Sequence, residues 1–459
     1  MNVPRSSPSR PLRLNADPAG LAPASDIGAA NERRIVRKVA WRVMWFLCAV
    51  YFFAMMDRLN IAFAALSMNR DLGFDAATFG LAVGIMYVSY GLFGLPCNLM
   101  LERYGARRVI SCIAIGWGIA ATAMGLVTGK TGFLALRVAL GAAEAGLVPG
   151  VMVYLGQWFP AQYRARFNAT FILAAPVASV VTALLSTAIL QMDNTLGIAG
   201  WRWIFLIEGS PAIVLGIVGL FYLSSTPDEA RWLAPHEREW LTRAMREDSG
   251  REQAHEAGQA RKPRLVEIVF HPMVLVFSLV NFCLFCGLVT TSSWLPAMLD
   301  ERGLSKGWIG VLSASISLAC VAGMFIMSRS SDRRNERIWH VVFALCVAGG
   351  GFFVAATASG VAAIVLGFGL ATFGCFSAQS IFWTIPQGYF SRHASPAAIG
   401  MLSTVASIGS GLMPYVVGSL KRSTHSFAPG LALAGGILVL AAVIMWLARG
   451  RIRHSNMPL

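Results

Sequence analysis

The stretch AMMDRLNIA at residues 54–62 places two charged side chains, Asp57 and Arg58, in the middle of a long apolar run. A charge at the centre of a bilayer helix costs about 2.5–3.5 kcal/mol on the scale from insertion experiments, so a function must offset that cost. An arginine suits an organic anion because its planar guanidinium binds a carboxylate through two hydrogen bonds and keeps its proton. Arg58 is therefore the candidate for holding a substrate carboxylate.

A second pair of opposite charges, Arg137 and Glu144, lies in another apolar run, two helical turns apart and so on nearly the same helix face. A buried acid can carry a coupled proton because burial favours its neutral form, whereas an approaching cation favours its charged form. Asp57 and Glu144 are the candidates for proton coupling. Arg137 is an exchangeable partner for either acid and a candidate contact of the substrate. The alternative is a static network of ion pairs that only orients the two helices.

Two acids would permit more than one proton per substrate. A monoanion entering a negative-inside cell is opposed by about 2.3 kcal/mol for every 100 mV. One proton would cancel the charge of the monoanion, whereas two would let the membrane potential drive its entry. The proton is thus the predicted coupling ion, and the number of protons stays open.

The helices that must hold these charges are indicated by the composition. The chain has 459 residues, of which 56% are hydrophobic and only 13% charged, whereas a soluble domain carries about 25% charged residues. Apolar runs of membrane-spanning length recur about twelve times. They cover residues 40–66, 77–101, 108–128, 132–158, 166–190, 202–223, 273–298, 307–328, 338–357, 361–388, 396–419 and 430–448. The predicted fold is an all-α polytopic membrane protein with twelve transmembrane helices in two pseudo-symmetric six-helix halves. A large soluble helical protein would need amphipathic stripes instead.

The net charge is +15, and the basic residues that cause it are distributed as in the loops of a membrane protein, not as on a nucleic-acid-binding surface. Basic residues are concentrated before the first span and in every second loop after it, while the intervening loops are short and poor in Lys and Arg. This positive-inside distribution predicts a bacterial-type inner-membrane protein with both termini in the cytoplasm. No apolar core followed by a cleavage site is found near the N-terminus, so no signal peptide is predicted. The expected partners are the lipid bilayer and a small organic anion, without nucleic acid, and the protein is expected to be a monomer.

A highly charged stretch interrupts the apolar pattern and divides the spans into six and six. Within it, APHEREWLTRAMRED predicts a short surface helix after Pro235, and the composition of the N-terminus predicts disorder. The predicted parts are a disordered cytoplasmic tail at 1–38, a six-helix half at 39–223, a cytoplasmic linker at 224–272, a second six-helix half at 273–449 and a cytoplasmic tail at 450–459.

An internal repeat supports two related halves. LERYGARRV follows the second span, and SDRRNERI follows the eighth. Both loops contain an acid followed by two bases at the same spacing, which are Glu102, Arg103 and Arg107 in the first loop and Asp332, Arg333 and Arg337 in the second. Two six-helix halves with a repeated loop are typical of a transporter that rocks its halves around a central site.

Other residue types offer no enzyme chemistry. The eight cysteines all lie in predicted helices. Cys283 and Cys286 form a CxxC, but no second CxxC or partner histidine accompanies them, so packing is favoured over metal or redox chemistry. Phosphate-binding loops, nucleophile elbows and His/Asp metal clusters are absent from the sequence. We therefore expect no enzyme, no cofactor and no metal site.

The segment NLMLERYGARR resembles the loop signature of the major facilitator superfamily, with Asn98 in place of its first Gly and Glu102 in place of its Asp. In that family the loop latches the two halves together on the cytoplasmic side. Because the substitutions keep the acid and the bases, the resemblance implies that the six repeated residues form a cytoplasmic gate.

Further stretches resemble the anion:cation symporter branch of this superfamily, namely DRLNIAFAAL, RVALGAAEAGLVPGVMVYLGQWFP, WRWIFLIEGSPA, PDEARWLAPHEREWL and FWTIPQGYFS. Bacterial members of the branch carry tartrate, phthalate, hexonates, hexarates and hydroxyphenylacetate. The resemblance implies import of a small carboxylate by proton symport through alternating access. It points to Arg58 for the substrate and to Asp57 and Glu144 for the protons, and it suggests Tyr90 as a hydroxyl donor to the substrate.

Polar and aromatic side chains of the second half are candidates for the other end of the substrate, or for bonds that only join helices. They are Asn281 and Trp294 on the seventh span, Gln379 and Trp383 on the tenth, and Ser403 and Ser407 on the eleventh. Glu208 on the sixth span is expected to be structural and to lie near Arg202 at the outer end.

Three positions depart from the pattern of the branch. Met55 stands where many relatives have Tyr, and Ser403 and Ser407 stand where many have Asn. Each change removes a large hydrogen-bonding group, and a buried substrate hydroxyl without a partner is costly. We therefore expect an aromatic acid or a small dicarboxylate in preference to a sugar acid.

Two other functions are compatible with twelve spans. A proton-coupled exporter of the same fold typically carries a Gly-rich segment on its fifth helix, where this chain has FILAAPVASVV, with Pro176 between alanine and valine. A non-transport membrane sensor is the second alternative. The placement of arginines in the apolar spans favours an importer of anions over both.

Overall fold

The computed structural model describes residues 29–257, 265–390 and 395–453. Within these ranges the chain is helical and forms no β-strand. Twelve of the described helices are long and apolar enough to cross a membrane, which confirms the predicted fold. We number them helix 1 to helix 12 in chain order: Asn31–Asp71, Ala76–Tyr104, Ala106–Met124, Lys130–Trp158, Ala161–Met192, Gly200–Tyr222, Pro272–Asp300, Lys306–Arg334, Ile338–Ala356, Val361–Tyr389, Ala397–Thr424 and Ala428–Ile452.

Helical structure extends into both predicted tails. Helical structure begins at Ala29, two residues before the bounds given above for helix 1, so residues 29–38 are helical rather than disordered. Its first turns are amphipathic, because Ile35 and Val39 are buried while the intervening basic side chains are exposed. The last helix continues to Arg453. The remainder of the two tails, residues 1–28 and 454–459, lies outside the described residues.

Three of the spanning helices are interrupted about one turn before a proline. Helix 4 breaks just after Glu144, ahead of Pro149, and helix 10 breaks at Trp383, ahead of Pro386. Helix 5 breaks in the same way at Leu173. A proline lacks the backbone N–H and its ring crowds the carbonyl one turn earlier, so a break at this spacing is expected. Helices 4 and 10 occupy equivalent places in the two halves, and both breaks adjoin candidate site residues.

The two halves repeat the same packing. Helix 3 packs along helix 6 in the first half, as helix 9 packs along helix 12 in the second. Helix 2 likewise packs on helix 4, and helix 8 on helix 10. Contacts between the halves come from three pairs, which are helices 2 and 11, helices 5 and 8, and helices 1 and 7. A pseudo-symmetric pair of six-helix bundles therefore meets along a seam formed by these six helices.

The seam is closed at one end of the bundle and open at the other. We call the face where helix 1 begins and helix 12 ends the termini face, and the other face the opposite face. Toward the opposite face, a β-carbon on Gly84 of helix 2 would clash with the carbonyl oxygen of Gly411 on helix 11. Halfway along, a β-carbon on Gly91 would lie 3.1 Å from the Cβ of Ser407, and at Gly94 nothing approaches within 4 Å. Helices 2 and 11 therefore diverge toward the termini face.

An ion pair joins the two halves at the opposite face. Oδ2 of Asp75 lies 3.3 Å from Nη1 of Arg422 at the end of helix 11. Asp75 also caps helix 2, since its Oδ1 accepts a hydrogen bond from the backbone N–H of Thr78 at 2.7 Å. That hydrogen bond holds the pKa of the Asp75 carboxyl below its usual range. Both side chains of the ion pair are exposed, so the cap contributes more stability than the pair.

We predict that Asp75→Ala lowers the free energy of unfolding by about 1 kcal/mol because helix 2 loses its cap. Asp75→Asn keeps a capping oxygen and should cost less than about 0.5 kcal/mol, since an exposed ion pair contributes little. Because the pKa of Asp75 is lowered by folding, its contribution is complete above the unfolded value of about 3.9 and is lost as the pH falls through the folded value. Thermal unfolding in detergent measures both variants, and equal destabilisation by the two would contradict the assignment of the cap.

The linker contains a helix, Pro235–Ala257, that lies against the first half. Glu237 of this helix accepts a hydrogen bond from Nζ of Lys38 at 2.5 Å. The ring of Trp232, just before the helix, stacks on Trp158 of helix 4 with centroids 5.7 Å apart. Residues 258–264 of the linker lie outside the described residues. The linker helix is thus held by the first half, at the termini face.

Candidate functional site

The centre of the first half contains an ion pair between helix 1 and helix 4. Nε of Arg58 donates a hydrogen bond to Oε1 of Glu144 at 2.7 Å. The Glu144 side chain is 1% exposed, whereas that of Arg58 is 17% exposed, so the arginine is the more accessible of the two. Glu144 is the last residue before the break in helix 4, which places its carboxylate at a helix end. The structure thus brings together the predicted substrate-binding arginine and one of the two predicted proton-coupling acids.

Three tyrosines surround the Arg58 guanidinium. Its Cζ lies 4.7 Å from the centroid of the Tyr90 ring and 6.0 Å from that of Tyr87, both on helix 2. Tyr51 also lies near the guanidinium, two turns earlier on helix 1, and its ring stacks on Phe171 with centroids 4.4 Å apart. Tyr90 was predicted, while Tyr51 and Tyr87 were missed. Their spacing was the available signal, because residues three and seven apart share a helix face.

Asp57 points away from this pair. Its Oδ2 accepts a hydrogen bond from Nε1 of Trp117 on helix 3 at 2.6 Å, and its Oδ1 accepts one from Nδ2 of Asn60 at 3.4 Å. The residue is 1% exposed. Adjacent residues point about 100° apart on a helix, which explains why Arg58 faces the seam while Asp57 faces helix 3. The two predicted acids therefore occupy separate surroundings, one with a cation and one with neutral donors.

Arg137 is fully buried and is bonded to backbone. Its Nε donates to the carbonyl oxygen of Ala82 on helix 2 at 2.8 Å. Its two terminal nitrogens have no hydrogen-bond partner within the described part of the chain. The predicted pairing of Arg137 with Glu144 or Asp57 is not made in this conformation, because Glu144 is bonded to Arg58. Buried N–H groups without a hydrogen-bond partner are costly. The terminal nitrogens of Arg137 are therefore available to donate to an acid or to a substrate.

Two of the predicted contacts in the second half act between helices. Nδ2 of Asn281 on helix 7 donates to the carbonyl oxygen of Leu402 on helix 11 at 3.1 Å. Trp294 is buried, and its ring lies 5.2 Å from that of Phe79 and 5.3 Å from that of Phe427. Phe79 belongs to helix 2, so Trp294 packs into the closed end of the seam rather than beside Arg58.

The other predicted residues of the second half lie nearer the open part. Ser407 faces Gly91 of helix 2, one residue from Tyr90, and its Oγ donates to the carbonyl oxygen of Ser403 at 3.0 Å. Ser403 is exposed, one turn closer to the termini face. Gln379 and Trp383 are half-buried and flank the break in helix 10. Ser407 therefore lies across the seam from the segment of helix 2 that contains Tyr90.

The predicted gate residues lie at the termini face without joining the halves. Arg107 donates to the carbonyl oxygen of Leu220 within the first half, and Arg337 donates to that of Thr384 within the second at 3.3 Å. The remaining four, Glu102, Arg103, Asp332 and Arg333, are exposed. Among the described residues, none of these six forms an ion pair with the other half. A latch remains a prediction for the conformation in which this face is closed.

The fold and the charged centre together define a polytopic membrane transporter, and the comparisons with known proteins extend this. The chain belongs to the Major Facilitator Superfamily, whose family model matches residues 47–414. A protein of Agrobacterium vitis provisionally named a tartrate transporter is 39% identical over 417 residues, which cover 90% of this chain and 94% of the relative. A quinolone resistance transporter of Acinetobacter baumannii is 28% identical over 426 residues, which cover 93% of this chain and 97% of the relative.

Solved structures support the same fold. A bacterial homologue of the human lysosomal transporter Spinster, solved in an inward-facing and unoccupied conformation, matches with a TM-score of 0.72 at 18% sequence identity. The match covers 92% of this chain and 98% of that chain. The chain is therefore a transporter and not an enzyme, and its relatives place it in the bacterial organic-anion branch of the superfamily.

Proposed function

We propose that the protein imports a small organic anion, a carboxylate, by proton symport through alternating access. The observation that carries the proposal is the ion pair between Arg58 and Glu144, in which a partly exposed arginine is held by a buried acid. A substrate carboxylate must compete with Glu144 for the guanidinium. A buried carboxylate that loses its cation is costly, so Glu144 takes up a proton when the substrate displaces it. Binding of the anion and uptake of a proton are then one coupled event.

Asp57 supplies a second proton site under the same principle. It is held by neutral donors, so its charged form depends on a cation that approaches from elsewhere. The unbonded terminal nitrogens of Arg137 are that cation in a conformation in which Glu144 no longer needs Arg58. Two sites of this kind give net positive charge movement for a monoanion, which the membrane potential then favours, and cancel the charge of a dianion.

The proposed orientation in the membrane rests on the distribution of charge. The basic loops and the basic ends of helix 1 and helix 12 at the termini face support a cytoplasmic location for that face in a bacterial-type inner membrane. The seam is open at this face, so the conformation described is the one that releases substrate inward. A monomer contains both halves and the whole candidate site.

A small dicarboxylate is the substrate class that fits best, and tartrate is the first compound to test because of the relative at 39% identity. Tyr51, Tyr87 and Tyr90 near Arg58 would offer hydroxyls in place of the tyrosine that is missing at Met55. A hydroxylated dicarboxylate therefore has partners at this site, while an aromatic monoacid has rings to stack on. Exchange of radiolabelled tartrate in proteoliposomes, with an unlabelled hexonate or aromatic acid as competitor, tests the class. If tartrate does not exchange and a hexonate does, the proposed substrate class is wrong.

Export of a drug is the second candidate, because one relative is a quinolone resistance transporter. The buried arginines favour an anionic or zwitterionic ligand with a carboxylate over a cation. Including a fluoroquinolone in the same exchange experiment separates the two candidates. Inhibition by the quinolone together with no exchange of tartrate would favour the exporter.

We predict that Asp57→Asn and Glu144→Gln abolish accumulation driven by a pH gradient, because neither amide can release a proton. Both variants should still exchange external for internal substrate, since Arg58 is kept. Parallel assays of gradient-driven uptake and of exchange in proteoliposomes measure the difference. Full accumulation by either variant would remove that residue from the coupling mechanism.

A further inference from the structure

Arg42 of helix 1 is a half-buried cation at the termini face that the transport mechanism does not use. Its Cζ lies 4.1 Å from the centroid of the Tyr222 ring, at the end of helix 6, and 5.6 Å from that of Trp232. Its Nε is buried and has no hydrogen-bond partner among the described atoms. Within residues 29–257, 265–390 and 395–453, no acid forms an ion pair with it. Two aromatic rings therefore hold the charge of Arg42, and its terminal N–H groups are left for an outside anion.

Helix lengths place Arg42 at the boundary of the bilayer. Helix 1 has 41 residues and helix 6 has 23, which correspond to about 60 Å and about 35 Å at 1.5 Å per residue. The hydrocarbon core is about 30 Å thick, so helix 6 crosses it with little to spare. Nε1 of Trp45 donates to the hydroxyl of Tyr222 at 2.8 Å, which fixes Trp45 level with the end of helix 6. Residues 31–44 of helix 1 therefore extend past the core, and Arg42 lies at the start of this extension.

The side chains at this level are those that suit lipid headgroups. Trp41 and Trp45 are 75% and 47% exposed, and tryptophan is enriched where the hydrocarbon core meets the headgroups. Arg37, one turn before Trp41, is exposed and has no acid partner in the described part of the chain. Lys38, in contrast, is paired with Glu237. Arg37 and Arg42 are thus two positive charges without a counter-ion of this chain, next to exposed rings.

An exposed apolar surface continues from Arg42 into the membrane. Phe221, beside Tyr222 at the end of helix 6, is 82% exposed. Ile217 and Val214, one and two turns earlier on the same helix, are also exposed. A free anion makes no use of such a surface, whereas an acyl chain packs on it. The combination of a phosphate-binding arginine with an apolar stripe therefore fits a phospholipid, because guanidinium binds phosphate through two hydrogen bonds.

We propose that an anionic phospholipid binds at this place, with its phosphate on Arg42 and one acyl chain along the exposed side of helix 6. Arg37 adds a second attraction for a headgroup with net negative charge and opposes the ammonium of a zwitterionic headgroup. The exposed ring of Trp41 covers the glycerol region. The site lies outside the seam between the halves, and the inference does not depend on the proposed symport.

The test titrates the full-length protein in a neutral detergent with phosphatidylglycerol and follows thermal unfolding. A lipid that binds the folded protein raises the unfolding temperature, and the mole fraction of lipid that gives half the rise measures its affinity. We expect Arg42→Gln to increase this mole fraction about 5- to 10-fold, since one base near an anionic headgroup contributes a factor of this size. Arg42→Lys keeps the charge without the planar fork and should lie between wild type and Arg42→Gln. Phosphatidylcholine should stabilise wild type less than phosphatidylglycerol does.

Arg166→Gln is the matched control for charge. Arg166 is an exposed base on helix 5 at a similar depth, because Sγ of Cys48 on helix 1 contacts the carbonyl oxygen of Thr170, one turn further along helix 5, at 3.9 Å. This variant should respond to phosphatidylglycerol as wild type does. Equal weakening by Arg166→Gln and Arg42→Gln would mean that any base at this face suffices, and would overturn the site.

An unchanged half-saturating mole fraction for Arg42→Gln would also overturn the inference and leave Arg42 as a residue that only stacks on its neighbours. If Arg42→Gln gives no folded protein, Trp41→Ala replaces it, because that side chain is 75% exposed and supports little of the fold. Trp41→Ala should weaken phosphatidylglycerol about 2- to 5-fold through lost apolar contact, and an unchanged affinity would again contradict the site. Excess inorganic phosphate should not displace the lipid. If phosphate alone reproduces the stabilisation, the site binds a free anion and the lipid assignment is wrong.

Discussion

Replacing Arg58 is expected to have the largest effect on substrate binding. Arg58→Lys keeps the charge but loses the planar fork that binds a carboxylate through two hydrogen bonds, so we expect affinity for the substrate to fall about 30- to 100-fold. Arg58→Ala removes the cation and should abolish detectable binding. Exchange of labelled substrate over a range of concentrations measures both changes.

The ion pair with Glu144 requires a control for stability. Arg58→Ala leaves the 1% exposed carboxylate of Glu144 without its cation, a change that costs about 3–5 kcal/mol in buried pairs. The double variant Arg58→Ala/Glu144→Gln removes both charges and should recover much of that loss, as judged by thermal unfolding, without recovering binding. Glu144→Gln alone should still bind. Substrate binding by the double variant would show that Arg58 is only a partner for Glu144 and not the ligand of the substrate.

Replacing Gly84 is expected to have the largest effect on the conformational cycle. A β-carbon at this position meets the backbone carbonyl of Gly411 across the seam. Neither backbone can yield locally, so Gly84→Ala should destabilise the conformation closed at the opposite face by about 1–3 kcal/mol. That shift corresponds to roughly a 5- to 150-fold change in the balance between conformations, and uptake should fall accordingly.

The matched control for this variant is Gly94→Ala, on the same helix and nearer the termini face, where nothing lies within 4 Å of the added carbon. We expect Gly94→Ala to transport as wild type does. Spin labels at Arg70 and Ser423, one on each half at the opposite face, report the opening directly in a background without the native cysteines. A longer distance in Gly84→Ala is the expected result, and an unchanged distance with normal uptake would contradict the assignment of the closed seam.

The length of the apolar runs was sufficient to predict the twelve helices, because a membrane span needs a continuous apolar run and little else. The pairing of Arg58 with Glu144 was not predicted, since Arg137 was expected to be the partner of Glu144 or Asp57. Burial demands a partner for each charge but does not say which one. The direction of Asp57 could not be predicted, because its binding to Trp117 depends on how helix 1 rotates against helix 3. Glu208 was placed beside Arg202 for the same reason. Proximity in the chain suggested that Glu208 lies near Arg202. In the packing of helices 5 and 6, Glu208 instead accepts a hydrogen bond from Ser186.

Packing also explains the differences in the second half. Trp294 and Asn281 were candidates for contacting the substrate or for bonds that only join helices. The structure places Trp294 in the closed end of the seam and Asn281 on a helix 11 carbonyl. Those roles depend on which face of helix 7 meets helices 2 and 11, and a helix that is apolar on every side carries no periodic signal for its rotation.

Accumulation of labelled tartrate in proteoliposomes under an imposed pH gradient tests the central proposal most directly. With an alkaline interior, the substrate concentration inside the liposomes should rise above that outside, and a protonophore should abolish this accumulation. The variant Arg58→Ala/Glu144→Gln should show neither accumulation nor exchange. Uptake that only equilibrates and ignores both the gradient and the protonophore would contradict proton symport, even if tartrate itself is carried.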